Sequence, residues 1–238
     1  MTKDRSTTED DHLSYSRTAL ARIALSWELM ELANQAAAKV PTTHDMWLRP
    51  GEAVSDALML VSDAQEVLAR AVVFERERGT SWEEIGARLD GITRQSAHAR
   101  YKERIEDWQL GLVEPIAPGE HGRTGWQRLP EPAFRPTQAL ADLDKWAAER
   151  GEGEHAVSGH LPHLTTAAEL VNLLDAIAHA AKGPRDNAAQ VRLLLRKAAL
   201  LDRIAAEDGD PEKAELAAAA RAKAAELQAA TDTETTGE

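Results

Sequence analysis

The chain has 238 residues, a length that allows one domain or two with buried cores. Aromatic residues make up only 4%, and alanine, leucine, arginine and glutamate recur, which predicts an all-α protein. The sequence has no cysteine, no signal-peptide core and no run of about 18 apolar residues, which excludes disulfides, thiolate metal sites and a membrane-spanning helix. We therefore expect a cytoplasmic protein with no membrane partner.

The formal net charge is −12, which argues against a polyanionic partner such as DNA. The charge is unevenly distributed, however. Residues 70–104 hold eight Arg and Lys against six Asp and Glu, so this segment carries +2 and the remainder carries −14. An acidic body with a locally basic face suits a specific DNA binder, because acidity suppresses non-specific adhesion while local cations meet phosphates.

Two long helices are predicted in the first part of the chain, after a polar N-terminus (1–12) that we expect to be disordered. Apolar residues at helical spacing run from 13 to 40, and a second set runs from 53 to 78. Proline and glycine punctuate the sequence between the two helices, and Gly79 ends the second. The positions predicted to face the core in the second helix are Leu58, Val61, Ala64, Leu68 and Val72.

The pattern of residues 80–104 predicts a helix-turn-helix. Thr80 or Ser81 can cap its first helix, and two glutamates follow in the first turn, where the helix dipole favours negative charge. Gly86 has no side chain to obstruct the close crossing of the second helix, and Gly91 can take the positive φ that such turns often require.

The second helix of the pair, capped by Thr93, is basic, and its predicted buried positions are Ala97 and Tyr101. Arginine can bridge O6 and N7 of guanine, glutamine can pair with adenine, and hydroxyls can serve bases or phosphates. Cations farther along the helix suit phosphate contacts. We predict that eight residues bind double-stranded DNA: Thr93, Arg94, Gln95, Ser96, His98, Arg100, Lys102 and Arg104. An ordinary helical hairpin with a solvated charged face is the alternative for this segment.

A resemblance covers residues 82–101, WEEIGARLDGITRQSAHARY. This segment is similar to the helix-turn-helix of sigma-factor region-four-like proteins. It is especially similar to small actinobacterial regulators whose own sequence follows the pattern W-x-E-I-G-x-x-L-G-V-S/T-R-Q-A-A-H-x-R-F/Y. The resemblance implies that the recognition helix contains Thr93, Arg94, Gln95, Ser96 and His98. The segment departs from the pattern by one additional residue at Asp90-Gly91, which lengthens the turn. No other sigma-factor region is visible, so promoter selection within the polymerase is not implied.

Prolines and glycines concentrate between residues 111 and 136, which predicts a linker or extended arm after a helical DNA-binding domain at 13–110. Beyond it we expect a helical assembly domain at 137–230 and an acidic tail at 231–238 that frays. The helices of this domain are predicted at about 137–150, 165–182, 185–207 and 211–230.

The third of these helices has an apolar seam with spacings of three and four residues: Val191, Leu194, Ala198, Leu201 and Ala205. The seam can pack within the chain as a helical hairpin against Leu170, Leu173, Leu174 and Ile177, or it can form a dimer interface, and both can hold at once. We expect a homodimer, since two half-sites raise affinity, and a protein partner can also use the C-terminal helices.

The sequence gives little indication of a metal site or a catalytic site. Glu154, His155, His160 and His163 form the densest histidine group, but their spacing matches no standard metal motif. Phosphate-binding, dinucleotide-binding, metalloprotease and hydrolase motifs are missing from the sequence. We therefore expect a protein that is not an enzyme and has neither a cofactor nor a bound metal.

The sequence favours a sequence-specific DNA-binding protein that acts in bacterial transcriptional regulation. The alternative is a helical interaction or assembly factor, in replication, partition or phage control, whose helix-turn-helix is degenerate. Salt-dependent DNA binding separates the two hypotheses, because phosphate contacts release counterions.

Overall fold

The computed structural model describes residues 11–40, 49–117, 125–162, 164–182 and 187–235. Within these ranges the regular elements are nine α-helices, two 3-10 turns and one isolated antiparallel bridge, which confirms the all-α prediction. None of the described helices combines the length and apolar character that a membrane crossing requires. The chain divides into two compact units, Met1–His163 and Leu164–Glu238.

Capping residues, prolines and glycines in the sequence predict the ends of the long helices close to the ends that the structure shows. The described ranges of the first unit contain α1 (Arg17–Ala38), α2 (Glu52–Glu77), α3 (Trp82–Arg88), α4 (Arg94–Val113), α5 (Glu131–Phe134) and α6 (Pro136–Ala148). Those of the second unit contain α7 (Thr166–Ala180), α8 (Asn187–Asp208) and α9 (Pro211–Thr235). The 3-10 turns lie at Asp11–Ser14 and Ser158–His160.

Helix α1 contributes to two buried clusters in the first unit. One cluster contains Leu20, Ala21, Ala24, Val73, Trp108, Leu129, Ala133 and Phe134. The other contains Ile23, Met30, Ala139, Leu140 and Leu143. Apolar residues on two sides of α1 therefore hold α2, α4, α5 and α6 in one packed body.

The described part of 111–136 is packed structure and does not act as a linker. Helix α4 continues to Val113, and Leu129 and Phe134 are buried in the core around α1. The division between the two units lies after His163 instead. Proline and glycine indicate turns, but they do not show whether the apolar residues between them are packed. The composition therefore predicted the boundary between the two units at the wrong place.

Three other predicted boundaries differ from the structure: the start of the C-terminal domain, the end of the N-terminal segment and the start of the C-terminal tail. Helix α6 belongs to the first unit, so the second unit begins at Leu164. Asp11 and His12, assigned by the sequence to a disordered segment, lie in a 3-10 turn, and the Asp11 carboxylate accepts hydrogen bonds from the N–H and hydroxyl of Thr137 (3.0 and 2.7 Å). The rest of that segment lies outside the described residues. Helix α9 continues to Thr235, within the predicted tail.

Four of the five residues predicted to face the core from α2 are exposed: Leu58 (65%), Val61 (54%), Ala64 and Leu68 (42%). The fifth, Val72, is buried. The prediction is wrong for the four because α2 meets α1 through another face, where Asp56 pairs with Lys39 (2.7 Å) and Arg70 with Glu28 (3.6 Å). Periodicity identifies an apolar stripe, but not the direction in which the neighbouring helix lies.

The seam of α8 packs within the second unit. Ala198 forms a buried cluster with Ala217 and Ala220 of α9, and Leu201 packs against that cluster. Val191 is also buried. Part of the seam is therefore packed within the chain, but its buried cluster is shared with α9 and not with the predicted residues of α7.

Helix α7 packs against α8 differently from the prediction. Leu173 is buried, whereas Leu170, Leu174 and Ile177 are exposed. The buried Glu169 of α7 pairs with Arg203 of α8. Only one of the four apolar residues of α7 that were expected to be buried is therefore buried.

Candidate nucleic-acid interface

Helices α3 and α4 pack on the C-terminal half of α2. Ile85 of α3 and Tyr101 of α4 form a buried cluster with Ala69 and Val72 of α2, and Ala97 of α4 is fully buried. The sequence predicted Ala97 and Tyr101 at inward positions. Because these positions fix the inner side of α4, the opposite side of the helix faces solvent.

Helix α3 begins with a capping box. The Ser81 hydroxyl accepts a hydrogen bond from the Glu84 N–H (3.2 Å), and the Glu84 carboxylate accepts from the Ser81 N–H and hydroxyl (both 2.8 Å). The hydrogen bond from the Ser81 backbone, followed by that from its hydroxyl, holds the pKa of Glu84 below its ordinary value. The ionised carboxylate also interacts favourably with the helix dipole, so the start of α3 is fixed.

Two glycines shape the connection between α3 and α4. A Cβ on Gly86 would lie 2.5 Å from the carbonyl oxygen of Ile92, so the close approach of α3 to the turn depends on glycine. Gly91 has φ of 71° and Asp90 has φ of 56°, both in the left-handed region. Aspartate tolerates this conformation better than most residues. The longer turn is thus built from two consecutive left-handed residues.

Thr93 caps α4. Its hydroxyl accepts a hydrogen bond from the Ser96 N–H (3.2 Å), and the two hydroxyl oxygens are 3.0 Å apart. Both residues are exposed. Thr93 and Ser96, two of the predicted DNA contacts, therefore also define the start of the helix, where unpaired N–H groups and the helix dipole give partial positive charge.

All eight residues predicted to bind DNA are exposed along the first part of α4. Successive residues of an α-helix are about 100° apart, so the buried Ala97 and Tyr101 determine where the others lie. Of the eight, Gln95, Ser96 and Lys102 lie farthest from the buried side. His98 and Arg100 lie on its two flanks, and Arg94 and Arg104 lie closest to it.

His98 packs against an aromatic ring as well as facing solvent. Its ring meets Trp82 edge to face, with centroids 5.3 Å apart, and the Arg76 guanidinium lies 5.0 Å from the centre of the same tryptophan ring. This stack ties the end of α2 to the starts of α3 and α4. Sequence reasoning missed it because no periodic pattern links these positions; a tryptophan at the first position of α3 was the available signal.

Two of the three cations predicted to contact phosphates already pair with carboxylates. Arg104 donates to both carboxylate oxygens of Glu66 on α2 (2.8 and 3.3 Å), and the Lys102 ammonium lies 3.6 Å from the Glu106 carboxylate. Such partly or fully exposed pairs contribute about 0–1 kcal/mol each, so phosphate groups can replace these carboxylates at little cost.

Charge divides α4 along its length. Residues 94–102 include three Arg or Lys and no Asp or Glu. Glu103, Glu106 and Asp107 follow, and all three are exposed. The N-terminal half of α4 is therefore the part where a polyanion meets least repulsion, and the helix dipole adds to the attraction there.

The histidine group at 154–163 forms no candidate metal cluster among the described residues. His155 Nδ1 lies 3.7 Å from the Asp144 carboxylate, which also accepts hydrogen bonds from the N–H groups of Val157 and Ser158 (2.9 and 3.1 Å). These contacts attach the loop to α6. His163 lies outside the described residues.

Comparison with family models, curated proteins and solved structures finds no match for this chain. The resemblance of residues 82–101 to sigma-factor region-four-like regulators therefore has no support beyond the segment itself.

Proposed function

We propose that α3 and α4 form a helix-turn-helix, and that this cytoplasmic protein binds double-stranded DNA sequence-specifically in bacterial transcriptional regulation. The observation that carries the proposal is the N-terminal half of α4. Its residues 94–102 expose cationic, amide and hydroxyl groups without a carboxylate, while Ala97 and Tyr101 anchor its inner side. With 20 residues, α4 is about 30 Å long, and the major groove accepts an α-helix of ordinary width.

Arg94 and Gln95 are the proposed base-reading residues. They occupy the first turn of α4, and the N-terminal residues of a recognition helix are the ones that reach base edges. Arginine pairs with guanine and glutamine with adenine through two hydrogen bonds, each pair worth about 1–3 kcal/mol of discrimination. The Thr93 cap and the packing of Ala97 hold both residues on a fixed backbone.

Arg100, Lys102 and Arg104 are the proposed phosphate contacts. Arg104 exchanges Glu66 for a phosphate on binding, and Lys102 exchanges Glu106. Both exchanges replace a weak ion pair with a contact to a polyanion that releases counterions. Affinity is therefore expected to fall steeply as the salt concentration rises.

Fluorescence anisotropy on a pool of labelled duplexes, titrated with salt, tests the proposal. We expect salt-sensitive binding by the parent chain, which the double variant Arg94→Ala/Gln95→Ala weakens. Lys102→Ala should weaken binding to all sequences and reduce the slope of log K against log salt by about one. Gln109→Ala, exposed on the acidic half of α4, is the matched control and should bind like the parent. Absence of binding at low salt, or equal binding by every variant, would contradict the proposal.

A second candidate is a helical interaction or assembly factor with a degenerate helix-turn-helix. The observation that favours it is an apolar patch on α7, where Leu170, Val171, Leu174 and Ile177 are all exposed. A full chain that fails to bind DNA at low salt, but loses a protein complex on Leu174→Glu substitution, would support this candidate.

A further inference from the structure

Every exposed residue of α2 between positions 53 and 68 is uncharged. The charged residues of the same span, Asp56, Asp63 and Glu66, are half-buried. Surface helices ordinarily show the opposite arrangement, with charge towards solvent and apolar residues towards the core. Helix α2 therefore directs its apolar side away from α1.

The residues on this face follow the spacing of a coiled coil. Val54, Leu58, Val61, Gln65 and Leu68, here called the α2 seam, are separated alternately by four and three residues. The positions beside the seam are occupied by Ser55, Ala57, Ser62 and Ala64. Small flanking residues let two helix backbones approach closely and place no like charges opposite each other.

We infer that the α2 seam is covered by the α2 seam of a second copy of this chain. A heptad seam is self-complementary, because its side chains fill the gaps between equivalent side chains of another copy. Two chains of charge −12 repel each other, and this uncharged seam is a surface on which close association adds no local repulsion. The Gln65 amide both donates and accepts hydrogen bonds, and a single polar residue within a seam fixes its register.

The size of the face fits such a pairing. Five large apolar side chains of α2, those of Val54, Leu58, Met59, Val61 and Leu68, are between 42% and 65% exposed. They and their small neighbours correspond to roughly 500 Å² per copy and about 1,000 Å² for the pair, which is the lower limit for a biological interface. In the seam of α8, in contrast, Ala198 and Leu201 already pack with α9 within one chain.

The α2 seam runs directly into the proposed helix-turn-helix. Val72, the next position after Leu68 in the same series, is buried with Ile85 and Tyr101. Two paired α2 helices would therefore hold two copies of α4 on one rigid support, suited to two half-sites of an operator. This use of the dimer rests on the proposed function, whereas the pairing itself does not.

Sedimentation equilibrium of the full chain without DNA tests the pairing. We expect the parent to be a dimer at concentrations on the order of 10 µM, and the variant Leu58→Glu/Val61→Glu to dissociate at least about 100-fold more readily. Leu195→Glu/Leu216→Glu places the same charges at exposed positions of α8 and α9, outside both the α2 seam and the α7 patch, and is the matched control; it should leave the dimer unchanged. Because all four residues are exposed, circular dichroism should show unchanged helix content.

Hydrogen exchange provides the second measurement. We expect the amides of residues 53–68 to exchange more slowly as the parent concentration rises, while those of α7 do not change. A parent that stays monomeric, or a dimer that survives Leu58→Glu/Val61→Glu, would overturn the inference. Failure of the proposed function looks different: Arg94→Ala/Gln95→Ala should keep the dimer whatever its effect on DNA binding.

Discussion

The variant Gly86→Ala tests the contact that positions α4 against α3. The added Cβ would lie 2.5 Å from the carbonyl oxygen of Ile92 and 3.4 Å from that of Thr93, both backbone atoms that no side-chain rotation can move. Overpacking of this kind destabilises by about 1–3 kcal/mol. Alanine is favoured over glycine inside a helix by about 1 kcal/mol, which offsets part of the loss. We expect a net decrease of up to about 2 kcal/mol in the free energy of unfolding.

Urea denaturation followed by circular dichroism measures this change as a shift of the transition midpoint. Gly153→Ala is the matched control, since a Cβ there meets no atom within 4 Å, and its stability should stay within about 0.5 kcal/mol of the parent. The proposed function adds that Gly86→Ala should also lower DNA affinity, because Ile92 and Thr93 lead into α4. A Gly86→Ala variant more stable than the parent by about 1 kcal/mol, as helix propensity alone predicts, would refute the close contact.

Two further predictions concern the core and the α3 cap. Leu143→Ala should lower the free energy of unfolding by about 2–5 kcal/mol in urea, because Leu143 is buried with Ile23 and Met30 of α1; a loss under about 1 kcal/mol would show that α6 does not belong to this core. The pKa of Glu84 lies below its ordinary value of 4.5 in the folded chain, so its stabilising effect is present above pH 4.5 and disappears as pH falls through the lowered pKa. Unfolding measured against pH should therefore show the parent more stable than Glu84→Gln at pH 7, with the difference vanishing in acid; a difference that does not depend on pH would contradict this role.

Local signals located α3 and α4 because their determinants lie close together in the sequence. Ser81 and Thr93 cap the two helices, and Gly91 adopts the positive φ, as predicted. Each role depends on residues only a few positions away, and propensity rules describe such short-range geometry well. The inward positions of Ala97 and Tyr101 follow from the same local periodicity.

Long-range packing could not be predicted in the same way. The apolar stripe of α2 is visible in the sequence, but the face that meets α1 is decided by partners such as Lys39 and Glu28, far from α2 in sequence. The burial of Phe134 was not predicted, because the prolines and glycines around it indicated a linker or extended arm. The ion pair of Arg104 with Glu66 joins two helices without a periodic relation, so the sequence assigned Arg104 to phosphate and did not foresee its partner.

Selection of bound duplexes from a random library measures most directly whether α4 reads sequence. A base-reading helix predicts that the parent enriches one recurring motif, and that Arg94→Ala loses preference at a guanine while Gln95→Ala loses preference at an adenine. Gln109→Ala should recover the parent's motif. The absence of any enriched motif, or the same motif from Arg94→Ala, Gln95→Ala and the parent, would contradict sequence-specific recognition by α4.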